Sequence, residues 1–324
     1  MNYQLLEMKP LPKVSIIIPV FNGANFLRDA IESALAQDYE NIEIIVVNDG
    51  SNDAGQTEAI AREFSDKITY YSKPNGGVST ALNLGIERMT GDYFSWLSHD
   101  DLYAVDKVKS QIDLLSGLPS SERVIAYSNY QTLFVDRQEL KETRLDKTAP
   151  HCFRYQIATD NRIHGCSLLI PRRAFLEHGF FSEKLRATQD YDLWFKFSES
   201  YTFVHSPKPL VIGRVHGSQV GVRMKEMVFK ENVAFRKKCL DELTNEEVIA
   251  ATGKTKSLSY AILVEKFLRK ALFPVAFHAF KISLKCLPND GIQSVLRWPF
   301  YFFRSASIGS AFFVYSSLAK MRAR

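Results

Sequence analysis

The first hundred residues alternate short apolar runs with amphipathic helical patterns, and this alternation restricts the fold more than any other feature. Val14-Ser15-Ile16-Ile17-Ile18-Pro19-Val20 is a nearly continuous apolar run, as a strand buried on both faces requires. Residues 24–37 follow with Phe26, Leu27, Ala30, Ile31, Ala34 and Leu35 at helical spacing. A second buried strand, 42–47, closes in Asn48-Asp49-Gly50-Ser51. A helix near 53–64 and a short strand at 67–71 come next. Asn75-Gly76-Gly77 then leads into a helix with Val78, Leu82, Ile86 and Met89 on one face. A fourth strand, 92–97, runs straight into Ser98-His99-Asp100-Asp101. The pattern predicts an α/β fold: a mainly parallel, Rossmann-like sheet with right-handed crossovers and helices on both faces. Ligands of such sheets sit beyond the carboxyl ends of the strands. Asn22, Asp49, Asn75 and Asp100 each lie just after a predicted strand, so all four are expected at one crevice.

The remainder is less regular. Strands are expected at 124–135, 165–170 and 210–216, and an aromatic helix at 190–199. Helical patterns dominate afterwards, at 224–243 and 258–272, and Pro274 should interrupt the chain there. Pro288-Asn289-Asp290-Gly291 reads as a turn between helices. The N-terminus has no apolar run behind a basic start, so no secretory signal is expected. Cys152, Cys166, Cys239 and Cys286 show no C-x-x-C spacing, which suits reduced cytosolic thiols better than disulfides or a zinc site.

Several polar residues carry chemistry. Asp100 and Asp101 are adjacent carboxylates that repel unless a cation or strong donors offset them. Hard oxygen ligands with open positions suit Mg2+ or Mn2+ on a diphosphate; the alternative is capping of a helix over 102–116. Asp49 is placed either to accept hydrogen bonds from a nucleotide base or ribose, or to form an Asp-Gly turn. Asn75-Gly76-Gly77 either presents backbone N–H groups to a phosphate or is a plain loop. Asp190 and Asp192, two apart on a helix, point differently, so one can reach the crevice as a general base while the other caps the helix. Arg214 and His216 share one face of a strand, suited to pyrophosphate and metal.

Taken together, 14–23, 46–51, 74–83, 91–101, 164–171, 189–194 and 214–216 resemble, in order, the successive motifs of family 2 glycosyltransferases. The resemblance spans about residues 12–220 and implies a GT-A fold and a metal-dependent, inverting enzyme. By that likeness Pro19, Phe21 and Asn22 would line the nucleotide site, with Asp49 at the base. Asp100 would match the final acid of the family's D-x-D motif, binding metal with or without Asp101. Asp190 would match the catalytic base, and His216 a histidine that assists metal or diphosphate. Two departures stand out: Ser98 replaces the usual first acid of D-x-D, and Gln189 the common Glu before the base. The resemblance implies a nucleotide-sugar donor, UDP being common, and a saccharide or lipid-linked saccharide acceptor in surface-polysaccharide synthesis (O-antigen or capsule). A catalytically silent sugar- or membrane-binding scaffold is the competing class, supported by Ser98. A sugar-nucleotide nucleotidyltransferase fits poorly, because Phe21-Asn22-Gly23-Ala24 lacks a basic phosphate-loop residue.

Charge separates the two ends of the chain. From Lys254 onward there are 12 Lys/Arg and two acids, against 29 and 34 in the preceding residues. The expected division is a catalytic domain over 1–220 and a helical, basic and aromatic region over 221–324. Lysines and arginines between apolar residues at 261–287, the aromatic run Arg297 to Arg304, and the uncharged stretch 305–319 suit an anionic membrane surface. That stretch is too short to span a bilayer, and packing of the region on the catalytic domain is the alternative. Nucleic acid fits poorly, because the body is acidic and no recognised binding motif is present. The expected location is the cytoplasm, peripheral on the inner face of the cytoplasmic membrane.

Overall fold

The computed structural model describes residues 11–160, 162–217 and 224–290. The described residues form two compact units, one of 11–147 with 162–217 and one of 148–160 with 224–290. The aromatic run at 297–304 and the stretch 305–319 lie outside the described residues.

The first unit is built on the strand β1, Val14–Val20, in which every residue is buried. Parallel neighbours flank it: β2 (Ile42–Asn48), in register from Val14–Ile42 to Val20–Asn48, and β4 (Tyr93–Trp96) on the other side. With β3 (Thr69–Ser72) and the short antiparallel β8 (Ile170–Pro171), they form a five-stranded sheet in the order β3-β2-β1-β4-β8. Burial on both faces explains the nearly continuous Val/Ile runs. Helix α1 (Leu27–Leu35) buries Leu27, Ala30, Ile31 and Ala34, and α3 (Val78–Arg88) follows the Gly76-Gly77 turn. Between them α2 (Gln56–Arg62) links β2 to β3. The expected mainly parallel α/β fold is present.

A second sheet, in the order β5-β9-β6-β7, was not foreseen. It joins β5 (Leu102–Tyr103), β6 (Val124–Phe134), β7 (Glu139–Thr143) and β9 (Thr202–Val215). β6 and β9 run parallel, with register shifts near Ser128–Gln131. The helix expected from residue 102 begins only at Lys107, as α4 (Lys107–Ser116), because Leu102 and Tyr103 pair with Ile212 and Val211 instead. Likewise 165–167 forms a 3-10 turn rather than a strand, leaving only Ile170 and Pro171 to pair with β4. Two further helices, α6 (Arg172–His178) and α7 (Gln189–Phe197), complete the unit.

The second unit is helical: α5 (Phe153–Thr159), α8 (Lys225–Glu242), α9 (Asn245–Thr252), α10 (Lys256–Arg269) and α11 (Phe273–Cys286). Arg154 of α5 donates to the Glu247 carboxylate at 3.0 and 3.1 Å, and the buried Arg236 donates to the Ala158 carbonyl at 2.9 Å. The chain does break before Pro274, at Ala271 with φ of 56°. Among the described residues no helix is long and apolar enough to cross a membrane.

Beneath β4 lies a fully buried lysine. The Lys107 ammonium donates to the Ser95 hydroxyl and to the Leu168 carbonyl and sits 4.4 Å from the centre of the Tyr103 ring. Burial pushes its pKa down to about 7. The unfolded chain therefore binds more protons than the native state between pH 7 and the ordinary lysine range, so stability rises with pH across that window. Lys107→Met is expected to stabilise the fold by about 1–3 kcal/mol at neutral pH, with the gain shrinking towards the ordinary lysine pKa. Urea melts of both proteins at the two ends of that window check it; a gain independent of pH would mean that the native lysine titrates as it does in the unfolded chain.

Candidate active site

At the carboxyl end of β2, Asp49 is almost fully buried and both of its oxygens are engaged. Oδ1 accepts from the Gly76 N–H at 3.0 Å and from Lys73 Nζ at 2.6 Å, and Oδ2 accepts from the Gly77 N–H at 2.7 Å. The turn before α3 is thereby tied to the end of β2. Gly77 has a φ of 94°, a conformation that glycine adopts without cost, and the Arg186 guanidinium lies where a Cβ would be. Asn22, also at positive φ, is locked to the same rim. Its Nδ2 donates to Asn52 Oδ1 at 2.7 Å, its Oδ1 accepts from the Asn52 N–H at 2.8 Å, and its N–H donates to the Ser51 hydroxyl. Phe21 is exposed beside it, Pro19 is buried in β1, and Asn75 is exposed in the turn.

A cleft of about 460 Å3 opens where β4, the 164–166 turn, α7 and β9 meet. Asp100, Asp101, Asp190 and Arg214 all line it, together with Trp96, Tyr130 and His164. The two adjacent aspartates have different partners. Asp101 is buried: Oδ1 accepts from the Arg214 N–H at 2.9 Å, and Oδ2 from the Cys166 thiol at 3.3 Å. His164 Nε2 lies 3.7 Å from the same Oδ2, and burial pushes the Asp101 pKa up. Asp100 instead meets His216, with Oδ2 and Nε2 3.0 Å apart. A carboxylate oxygen and an imidazole nitrogen at that separation fit a divalent cation that accepts mixed O/N donors, such as Mn2+. Asp101, His164 and Cys166 also each bring one donor atom to within 4.8 Å of the others.

Asp190 enters at the first turn of α7. Protein atoms crowd its carboxyl, and burial pushes the pKa up to about 6 although the Tyr191 N–H donates to it at 2.8 Å. Asp192, one of the two candidates for the crevice, turns away and pairs with Lys196 at 2.8 Å. The side chains at the end of β9 are set by α1. The Phe26 ring lies 4.9 Å from the Arg214 guanidinium and 5.0 Å from the His216 imidazole, and Asp29 takes Arg214 Nη2 at 2.6 Å.

The structure thus brings Asp100, Asp101, Asp190 and Arg214 to one cleft and His216 to Asp100. Pro19, Phe21, Asn22, Asp49 and Asn75 stay on the strand-end rim and are not among the cleft-lining residues. Sequence reasoning missed Trp96, Tyr130, His164 and Cys166 as cleft residues and Phe26 and Asp29 as the supports of β9. One signal was readable: Gly213 precedes Arg214, and a Cβ there would meet His164 Nε2 at 2.7 Å. Gly165 likewise leaves room for the Trp96 ring.

The architecture is shared with solved GT-A enzymes. S. aureus TarS 1-349, in complex with UDP-GlcNAc, aligns with a TM-score of 0.60 at 15% identity, covering 91% of this chain and 81% of that one. The mannosyltransferase PcManGT from Pyrobaculum calidifontis, in complex with GDP-Man and Mn2+, aligns at 0.55 and 16% identity over 92% and 85%. At those identities the likeness speaks for the fold alone, and the fold is GT-A. Sequence gives the family. Residues 15–174 match the family model described as Glycosyl transferase family 2. An uncharacterized glycosyltransferase of Rickettsia prowazekii is 44% identical over 266 residues, covering 80% of each chain. One from Rickettsia felis is 46% identical over 248 residues, 74% of this chain but only 41% of that one. The chain belongs to glycosyltransferase family 2, and it spans less than half the length of the R. felis relative.

Asp49→Ala is expected to cost about 2–4 kcal/mol, because two backbone N–H groups and a lysine lose their common acceptor. A chemical melt showing less than about 0.5 kcal/mol would mean that the glycine turn holds without the carboxylate.

Proposed function

We propose that the protein is an inverting glycosyltransferase that moves a sugar from a nucleotide-sugar, a UDP-sugar in the first instance, to a saccharide acceptor. The observation that carries this reading is the Asp190 carboxyl, with its raised pKa, in the same cleft as Asp100. In the single displacement, the acceptor hydroxyl oxygen attacks the anomeric carbon while the bond from that carbon to the diphosphate oxygen breaks. Asp190 takes the hydroxyl proton, and the nucleoside diphosphate leaves with the bonding electron pair. Asp100 and His216 would hold the divalent cation, assisted by Asp101, and Arg214 would face the diphosphate. A bound Mn2+ or Mg2+ supplies charge neutralisation on that leaving group. Pro19, Phe21, Asn22, Asp49 and Asn75 form the nucleoside side of the site in this reading. The UDP-GlcNAc and GDP-Man of the two GT-A neighbours support a nucleotide-sugar donor.

The catalytic domain in this proposal lies within residues 1–220 but without 148–160, which belong to the helical unit. The basic region 221–324 holds the protein at the cytoplasmic face of an anionic membrane, where the acceptor is a lipid-linked saccharide destined for a surface polysaccharide such as O-antigen or capsule.

A general base must be ionised to accept the proton, so kcat/KM should fall below pH 6 with an apparent pKa near the value of about 6 set by burial of Asp190. The profile is read from UDP release over a panel of UDP-sugars, with and without Mn2+. Asp190→Asn should abolish transfer by at least about a hundredfold while leaving UDP affinity nearly intact. Full turnover in that variant would remove the assigned base. Absence of metal-stimulated release with every donor would favour the silent scaffold that Ser98 suggests.

A further inference from the structure

Helix α11 packs against the expected grain of a soluble helix. Its small residues, Val275, Ala276, Ala279 and Ser283, are the buried ones, whereas Phe273, Phe277 and Leu284 are exposed. Ser283 fixes the inward side by donating to the Ser257 carbonyl at 2.6 Å, and His278 meets Asp241 of α8 at 2.8 Å. On the outer side Phe277 is 59% exposed, and Phe273 and Leu284 are each 42% exposed. With Phe280 they stand at i, i+4, i+7 and i+11, an arc of one helix face. Phe277 and Phe280 stack at 6.5 Å between ring centres. Lys281 lies 4.7 Å over the Phe277 ring, and Lys285, exposed one turn on, extends the same flank.

We propose that this face of α11 is a docking surface for an anionic lipid bilayer. Phe273, Phe277 and Leu284 enter the headgroup–acyl boundary, and Lys281 and Lys285 meet lipid phosphates. The inference rests on the membrane reading above and names the residues that perform it. Charge complementarity selects the occupant. The span 254–290 holds seven Lys/Arg and only two acids, Glu265 and Asp290. Glu265 is taken up by Arg269 at 2.8 Å, and Asp290 by the Ser257 N–H at 2.6 Å, so neither acid opposes the lysine flank. A ridge of aromatics beside lysines is the composition of helices that lie in the plane of an interface, with the lysine stems reaching along the apolar side towards the headgroups. The area exposed by three large apolar side chains contributes to insertion, while the two lysines make it depend on anionic lipid.

The test is co-sedimentation of the full chain with vesicles of phosphatidylglycerol in phosphatidylcholine and with vesicles of phosphatidylcholine alone. The wild-type protein should bind the first and not the second. Lys281→Glu/Lys285→Glu should weaken binding by at least about thirtyfold, from about a fivefold effect per lysine at an anionic surface. Phe277→Ser/Leu284→Ser should weaken it by at least about tenfold at every salt concentration. Circular dichroism melts and size exclusion accompany each variant, and UDP release from a soluble donor should be unchanged, since none of these residues lies in the cleft. Binding retained by both variants, with loss only on removal of residues 291–324, would overturn this face while leaving the membrane reading in place. No binding by the wild-type chain would overturn both. A dimer of the wild type that both variants dissolve, with vesicle binding unaffected, would assign the face to a second copy of the chain and overturn the proposal.

Discussion

The cleft depends on one buried carboxylate. Asp101 closes the β4 loop, yet its partners come from elsewhere: the Arg214 N–H on β9 and the Cys166 thiol in the 164–166 turn, with His164 close by. These contacts join the end of the parallel sheet to the second sheet and to the turn between them. Burying a carboxylate is costly, and the upward push on its pKa reflects that cost. Donors from two other segments offset it. Hydrogen bonds to charged groups contribute about 1.5–3 kcal/mol each, so a few are enough to hold the segments in one place.

With both Asp101 oxygens engaged, its neighbour Asp100 pairs separately with His216. Like charges on adjacent residues are tolerable because each has its own partners. Residues 214–216 are in turn kept at the cleft by the start of α1, through the contacts of the Phe26 ring with Arg214 and with His216 and the ion pair of Arg214 with Asp29. Asp49 works in the same manner at the other rim, where a buried carboxylate organises a glycine turn. In both places an acid at a strand end binds backbone N–H groups of a distant segment, and the polar surface next to it is what remains for a ligand.

The parallel sheet was legible because β1 and β2 are buried on both faces, which demands the continuous runs Val14–Val20 and Ile42–Val47 and leaves little ambiguity about what they form. The second sheet was not. Leu102 and Tyr103 read as the start of a helix, but they are strand because Ile212 and Val211, more than a hundred positions away in the sequence, are there to pair with them. The 3-10 turn at 165–167 escaped for a related reason: beside its local cap by His164, it is held by the distant Ser98 and Asp101 contacts of Cys166. Helix α9 is a different kind of miss. Thr244 and Glu247 form a capping box that three-residue spacing announces in the sequence alone.

The chain's own order of residues determined the strand–helix alternation and the placing of Asn22, Asp49, Asn75 and Asp100 after strands, because hydrophobic periodicity is a local property. It could also show that Asp190 and Asp192 point in different directions, since a helix turns by a fixed angle per residue. It did not determine which of them enters the cleft, nor that Asp101 ties the β4 loop to β9 and the 164–166 turn while Asp100 meets His216. Those outcomes depend on Lys196, Arg214, Cys166 and His216 standing within hydrogen-bonding reach. For all but Lys196, that reach is made by packing between segments far apart in sequence, and only the folded chain decides it.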